Sequence, residues 1–111
     1  MTPSRDILFL GHILEAIGNI KLSMSKVLRQ DFEVMKDVQD ACIRRIEIIG
    51  EAVKNISQET KDKYPEIKWK EIAGTRDRII HSYFSVDLDV VWDIIRKDLP
   101  VLEKQLKEII K

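Results

Sequence analysis

Cysteine, proline and glycine are scarce in this chain of 111 residues, and neither sign of charge prevails. The single cysteine, Cys42, excludes an intramolecular disulfide framework and fits a reducing compartment. Three prolines and four glycines leave little punctuation, which excludes an architecture of many turns and long loops. No run approaches the roughly 18 apolar residues of a membrane span. Met1 to Asp6 lack the long apolar core of a signal peptide, so the cytoplasm is the expected compartment. Lysine plus arginine equals aspartate plus glutamate at 19 each, which removes the overall basic field of a nucleic-acid coat protein; any such contact has to rest on a local cluster. The two histidines and one cysteine have no metal-site spacing, and no metal or cofactor is expected.

What is present is apolar periodicity. Thr2-Pro3 suits a helix start, because proline lacks an N–H that the first turn would leave unpaired anyway. Leu10, Ile13, Leu14, Ile17, Ile20 and Met24 then recur at three- and four-residue steps, predicting a first helix to about Arg29. A second stripe, the cleanest, runs through Val38, Ala41, Cys42, Ile46, Ile49, Ala52, Val53 and Ile56. Gly50 inside it costs about 1 kcal/mol relative to alanine, which points to close approach of a neighbouring helix. Ser57 to Lys68 is polar, broken by Tyr64-Pro65, and reads as the one substantial loop. A third helix is marked by Trp69, Ile72, Ala73, Ile79 and Ile80 and should end between Ser82 and Ser85. Ser85 or Asp87 can cap a fourth, whose stripe of Leu88, Val91, Ile94, Ile95, Leu102, Leu106 and Ile109 passes through Pro100 and predicts a kinked helix. There is no repeat and no alternating strand pattern. The expectation is a single all-α domain over residues 1–111, a four-helix bundle with a kinked C-terminal helix.

Two charges fall on predicted apolar faces: Arg45 at the centre of the second stripe and Asp98 near the centre of the fourth. A buried lone charge is very costly, so each needs a partner or a wet cleft. Arg45 either lines a cleft or pairs internally, and Asp98 is expected to be tied to the Pro100 kink. His12, Trp69 and Trp92 read as structural, the tryptophans as core or interface anchors.

The chemistry lies in Gly74-Thr75-Arg76-Asp77-Arg78-Ile79-Ile80-His81-Ser82-Tyr83-Phe84. Metal-free phosphodiester cleavage needs a histidine that can take a proton from an attacking 2′-hydroxyl or give one to the leaving oxygen. It also needs a guanidinium to stabilise the charge on the phosphorane. On a straight helix Arg76 and His81 would stand roughly 140° apart. They converge if the helix loosens before His81, if the arginine reaches around, or if the pair forms across two subunits. Asp77, four residues before His81, can hold the imidazole and favour its protonated form. Taken alone, Arg78 and Asp77 also fit plain solvated charges, and Tyr83 a core edge with a wet hydroxyl.

The run Trp69-x-x-Ile72-Ala73-Gly74-x-Arg76-Asp77-Arg78-x-x-His81-x-Tyr83-Phe84-x-Val86-Asp87 resembles the signature of HepT-like proteins of the HEPN superfamily. Ile48-Ile49-Gly50-Glu51-Ala52 and Asp98-Leu99-Pro100 match two further blocks of that family. The resemblance implies a HEPN-type four-helix bundle that forms a homodimer and acts as the toxin of a toxin–antitoxin pair. It also implies metal-independent endoribonuclease activity, with Arg76 and His81 in a cleft between subunits and RNA as substrate. The antitoxin partner it implies is a minimal nucleotidyltransferase that in some pairs adenylylates the motif tyrosine, here Tyr83. One departure is Asp77, where the family commonly has Asn. An acidic neighbour beside the phosphate fits a weaker enzyme, or a module that only binds a nucleotide or the nucleotidyltransferase.

Overall fold

The computed structural model describes residues 2–82 and 85–111, and the side chains of all of these except His81 and Ser82. Its frame is a pair of long helices, α1 (Ser4–Ser23) and α3 (Lys36–Lys54). They run antiparallel. Asp6 near the start of α1 meets Ser57 beyond the end of α3, and Ser23 at the end of α1 meets Arg45 within α3. Their facing stripes bury Leu10, Ile13, Ile17 and Ile20 against Cys42, Ile46, Ile49 and Val53. Truncating any one of the large aliphatic side chains to alanine costs about 2–5 kcal/mol in such a core.

The first helix stops earlier than its stripe predicts. After Ser23 the chain turns, with Lys26 in the left-handed region at φ 65°, and resumes in the short α2 (Arg29–Phe32). The turn is held from across the bundle. Arg96 donates to the carbonyls of Met24 (3.2 Å) and Val27 (2.7 Å), so a guanidinium braces the turn that follows the helix end. The same guanidinium lies 4.6 Å over the Trp92 ring, which packs on buried Phe32 with ring centroids 5.6 Å apart. Apolar periodicity could not show this, because the device is a cation 72 residues from Met24 and 69 from Val27 in the chain.

The expected loop 57–68 contains a helix of its own, α4 (Gln58–Lys63), with Ser57 as its N-cap, accepting from the Thr60 amide at 3.3 Å. The buried Asp6 carboxylate locks this corner, accepting from the Ser57 amide (3.0 Å) and from the hydroxyls of Ser57 and Thr60. Burial alone would push the Asp6 pKa up. The Ser57 and Thr60 hydroxyls, the Ser57 amide and the charge of Arg5 outweigh it, and the carboxyl sits below its ordinary range.

The third expected helix is the one most altered. It is broken at Gly74 into α5 (Trp69–Ala73) and α6 (Thr75–Ile79), and it ends before His81. The chain then becomes extended: β1 (Ile80–Ser82) pairs antiparallel with β2 (Ser85–Val86), Ile80 opposite Val86 and Ser82 opposite Ser85. Three- and two-residue strands are too short for an alternation to be read. Asp87 caps the next helix, accepting from the Val90 amide at 3.1 Å, as one of the two expected caps.

The last helix is continuous but not uniform: α7 (Leu88–Asp93), a π segment (Ile94–Asp98), and α8 (Leu99–Ile109). An α register would pair the Arg96 carbonyl with an N–H that Pro100 does not have. Instead the turn before the proline widens, and the Leu99 amide donates to the Ile94 carbonyl five residues back. The inserted residue rotates the remainder of the helix about its axis. Leu99, not Asp98, faces the core, and Asp98 is half exposed. The expected burden of a carboxylate on the core face is thereby removed. The all-α class stands, with a short antiparallel strand pair between α6 and α7. Among the described residues no helix is long and apolar enough to cross a membrane.

Candidate active site around Arg76

The site is built on the face of α3 that meets α5 and α6. At Gly50 a Cβ would stand 3.3 Å from the Ile72 carbonyl oxygen and 3.4 Å from that of Ala73. Two backbones meet where a side chain would intervene, as the glycine's position inside a helix predicts. Thr75 donates to the Ile72 carbonyl at 2.8 Å, tying the start of α6 to the end of α5 across the break at Gly74. Arg76, the next residue, therefore emerges beside α3, and its Nε donates to Glu47 Oε2 at 3.1 Å. Its side chain is 65% exposed, that of Glu47 27%.

Arg76 and Asp77 share a groove of about 360 Å³ with Arg44, Glu47, Glu51 and Lys54. Lys54 pairs with Glu51 at 3.2 Å. Three cations and three carboxylates line this groove, so charge here is local and directional rather than a net field. Among the described residues, no group of three or more His, Cys, Asp or Glu is gathered as for a metal ion.

The other predicted residues divide. Arg78 faces away from Arg76: its Nη1 is 3.4 Å from Asp98 Oδ2, at the rim of a second hollow of about 380 Å³ floored by Ile46, Ile49 and Ile72. Arg45 is half-buried and donates to Ser23 Oγ at 2.9 Å, bridging α3 and α1 in the internal-pairing manner that was one of its two expected fates. Arg45 and Arg78 do not join Arg76. The backbone of His81 belongs to β1, and its side chain is not among those described; Tyr83 lies outside the described residues altogether. The extended course from Ile80 replaces the straight helix on which Arg76 and His81 would diverge.

Glu47 and Arg44 were not among the predicted residues. Their signal is present but faint. Glu47 precedes Gly50 by three residues and so shares its helix face; once Gly50 is read as the close-approach point, Glu47 borders the same contact.

The fold is mostly helical, with Arg76 held by Glu47 just after the helix break at Gly74. The family model described as "Ribonuclease HepT-like" matches residues 13–109, and the chain belongs to that family. It is 42% identical to "Probable ribonuclease HepT" of Thermococcus cleftensis, over 93% of this chain and 94% of that one. It is likewise 42% identical to "Putative RNase TTE0752" of Caldanaerobacter subterraneus, over 93% of this chain and 92% of the other. It is 45% identical to "Gamma-glutamylcyclotransferase and putative RNase MJ0434" of Methanocaldococcus jannaschii, over 94% of this chain but only 47% of that protein, about half its length. No solved structure matches.

Proposed function

We propose that this chain is a metal-independent endoribonuclease, the toxin of a type II toxin–antitoxin pair, cleaving RNA with Arg76 and His81. The observation that carries the reading is the end of α6 at Ile79, in a chain of the HepT-like ribonuclease family. The backbone leaves the helix between the two residues, so the roughly 140° that a straight helix would impose no longer applies.

In the proposed reaction the His81 imidazole takes the proton of the ribose 2′-hydroxyl as its oxygen attacks the adjacent phosphorus. The P–O5′ bond breaks, and the same imidazole returns the proton to the departing 5′-oxygen. The products are a 2′,3′-cyclic phosphate and a 5′-hydroxyl. Arg76 binds the phosphate and the phosphorane that forms from it. Asp77 orients the imidazole, Arg78 supports RNA binding at the neighbouring rim, and Tyr83 positions RNA or takes the adenylyl group. The active unit is a homodimer with the cleft between subunits, in the cytoplasm, and the antitoxin is a minimal nucleotidyltransferase. The test is incubation of RNA in excess chelator with wild type, His81→Ala and Arg76→Ala. Wild type should leave cyclic-phosphate ends and each variant at least a hundredfold fewer, about 2.7 kcal/mol or more of transition-state stabilisation. Equal cleavage by all three overturns the reading.

A second reading is a module that binds the nucleotidyltransferase or a nucleotide without turnover. It is favoured by Asp77 beside Arg76 and by the balanced charges of the groove. It predicts co-purification with the partner and no cleavage at any protein concentration.

A further inference from the structure

Resting on the ribonuclease reading, we propose that Glu47 is a positioning residue. It grips Arg76 by its Nε and thereby aims the two terminal nitrogens, Nη1 and Nη2, at a phosphate of the substrate.

A guanidinium has five N–H donors in a fixed planar fork, and which edge is occupied decides what the rest can do. Here the occupied donor is Nε, at 3.1 Å from Glu47 Oε2, and among the described residues neither Nη hydrogen-bonds to another group. A carboxylate that blocked the arginine would take two donors at once, on the Nη1–Nη2 or the Nε–Nη edge, whereas Glu47 takes Nε alone. The contact made instead fixes the plane of the group and leaves the paired terminal donors open.

Exposure runs in the same direction. The anchoring carboxylate is 27% exposed and the arginine 65% exposed, so the anchor is the more sheltered partner and the arginine side chain reaches water. Glu47 sits inside the long helix α3, a turn before Gly50, where that helix meets the α5–α6 backbone most closely. The anchor is thus on a rigid element, while Arg76 is on a five-residue helix between a glycine break and an extended segment. An arginine there, without an anchor, would search many rotamers before meeting a phosphate. The groove's other cation, Arg44, is three residues before Glu47 on α3, close enough to give the same phosphate chain a second contact.

The experiment compares wild type, Glu47→Ala, Glu47→Gln and Arg76→Ala for cleavage of a defined RNA, with kcat and KM separated and thermal unfolding measured for each. Misplacing a transition-state group by about 1 Å can cost a hundredfold, so Glu47→Ala should lower kcat roughly tenfold to a hundredfold with little change in Tm. Glu47→Gln should recover most of that loss, because its amide oxygen still accepts from Nε. A Glu47→Ala enzyme as fast as wild type, or faster, overturns the proposal, as does Glu47→Gln falling as far as alanine. Should Glu47→Ala not fold, the nitrogen-15 spectrum of wild type and Glu47→Gln decides: an Arg76 Nε–H exchanging with water as fast as that of a free arginine overturns the grip, and a protected one supports it. The ribonuclease reading fails separately, by a wild type that does not cleave. In that case binding of a 2′-O-methyl RNA oligonucleotide is the measure, and Glu47→Ala should bind about tenfold more weakly than wild type. Equal binding, or no binding by either, overturns the proposal.

Discussion

Gly50 and Ile72 are in backbone contact: a Cβ on the glycine would stand 3.3 Å from the Ile72 carbonyl oxygen. One added carbon is tight there, and a branched side chain does not fit without parting α3 from α5. Gly50→Val should therefore destabilise the protein by about 1–3 kcal/mol, the ordinary cost of overpacking. Denaturant unfolding measures it. A change below a few tenths of a kcal/mol would mean the two backbones do not touch in solution.

Asp6 is a carboxylate at risk from acid. Its proton affinity is lower in the folded chain than in the unfolded one, so protonation favours unfolding. The stability it contributes is fully present above its unfolded pKa of about 3.9 and is lost as pH falls through the lower folded value. Asp6→Ala, which strands the hydroxyls of Ser57 and Thr60, should cost about 1–3 kcal/mol near neutrality. The gap between variant and wild type should close below about pH 4 in parallel urea titrations. A gap that stays constant down to pH 2 would contradict the assignment.

Cys42 should be chemically quiet. Its side chain is fully buried in the core, and burial pushes the thiol pKa up against the pull of Arg45 and Arg96. Ellman's reagent should react with the native protein only as fast as the core opens, and immediately in denaturant. Rapid native-state labelling would show that the α1–α3 interface opens far more readily than its packing implies.

Arg76→Lys retains the charge but not the geometry. A lysine has no Nε donor to give Glu47 while presenting a planar fork beyond it. Cleavage by Arg76→Lys should fall at least tenfold, closer to Arg76→Ala than to wild type. Activity within a factor of two of wild type would reduce the role of Arg76 to that of a point charge.

Asp98 and Arg78 form an exposed pair at 3.4 Å, with side chains 50% and 45% exposed. Exposed pairs contribute about 0–1 kcal/mol. Asp98→Ala should thus change stability by less than about 1 kcal/mol. A loss of 3 kcal/mol or more would restore the buried carboxylate that the apolar stripe of the last helix suggests.

The course of α3 was legible from sequence because every signal there agrees. Ile46, Ile49 and Val53 fall on one face and are buried, and Gly50 sits where backbones touch. Around residues 69–82 the signals part. Trp69, Ile72 and Ile79 keep helical spacing across a break at Gly74, since spacing registers which residues are apolar and not whether the backbone between them is continuous. Asp98 departs from its expected face for a related reason: counting along an unbroken helix cannot include the extra residue of a π turn. Within the site, Arg76 and Asp77 were visible as a local cluster. Glu47 was not, because it lies 29 residues earlier and only the packing of α5–α6 on α3 brings it to Arg76.

The widened turn at Ile94–Asp98 gives the final helix a spare unit of length. Removing one amino acid there would return the coil to the ordinary pitch, at the cost of one carbonyl left unpaired against the proline, while Leu102 and Leu106 stay aimed inward. Removing one between Val101 and Leu106 would swing the rest of the rod by about a quarter turn and bring that apolar edge out into water. Tolerance of shortening along this rod is therefore concentrated in a single turn, just ahead of its proline.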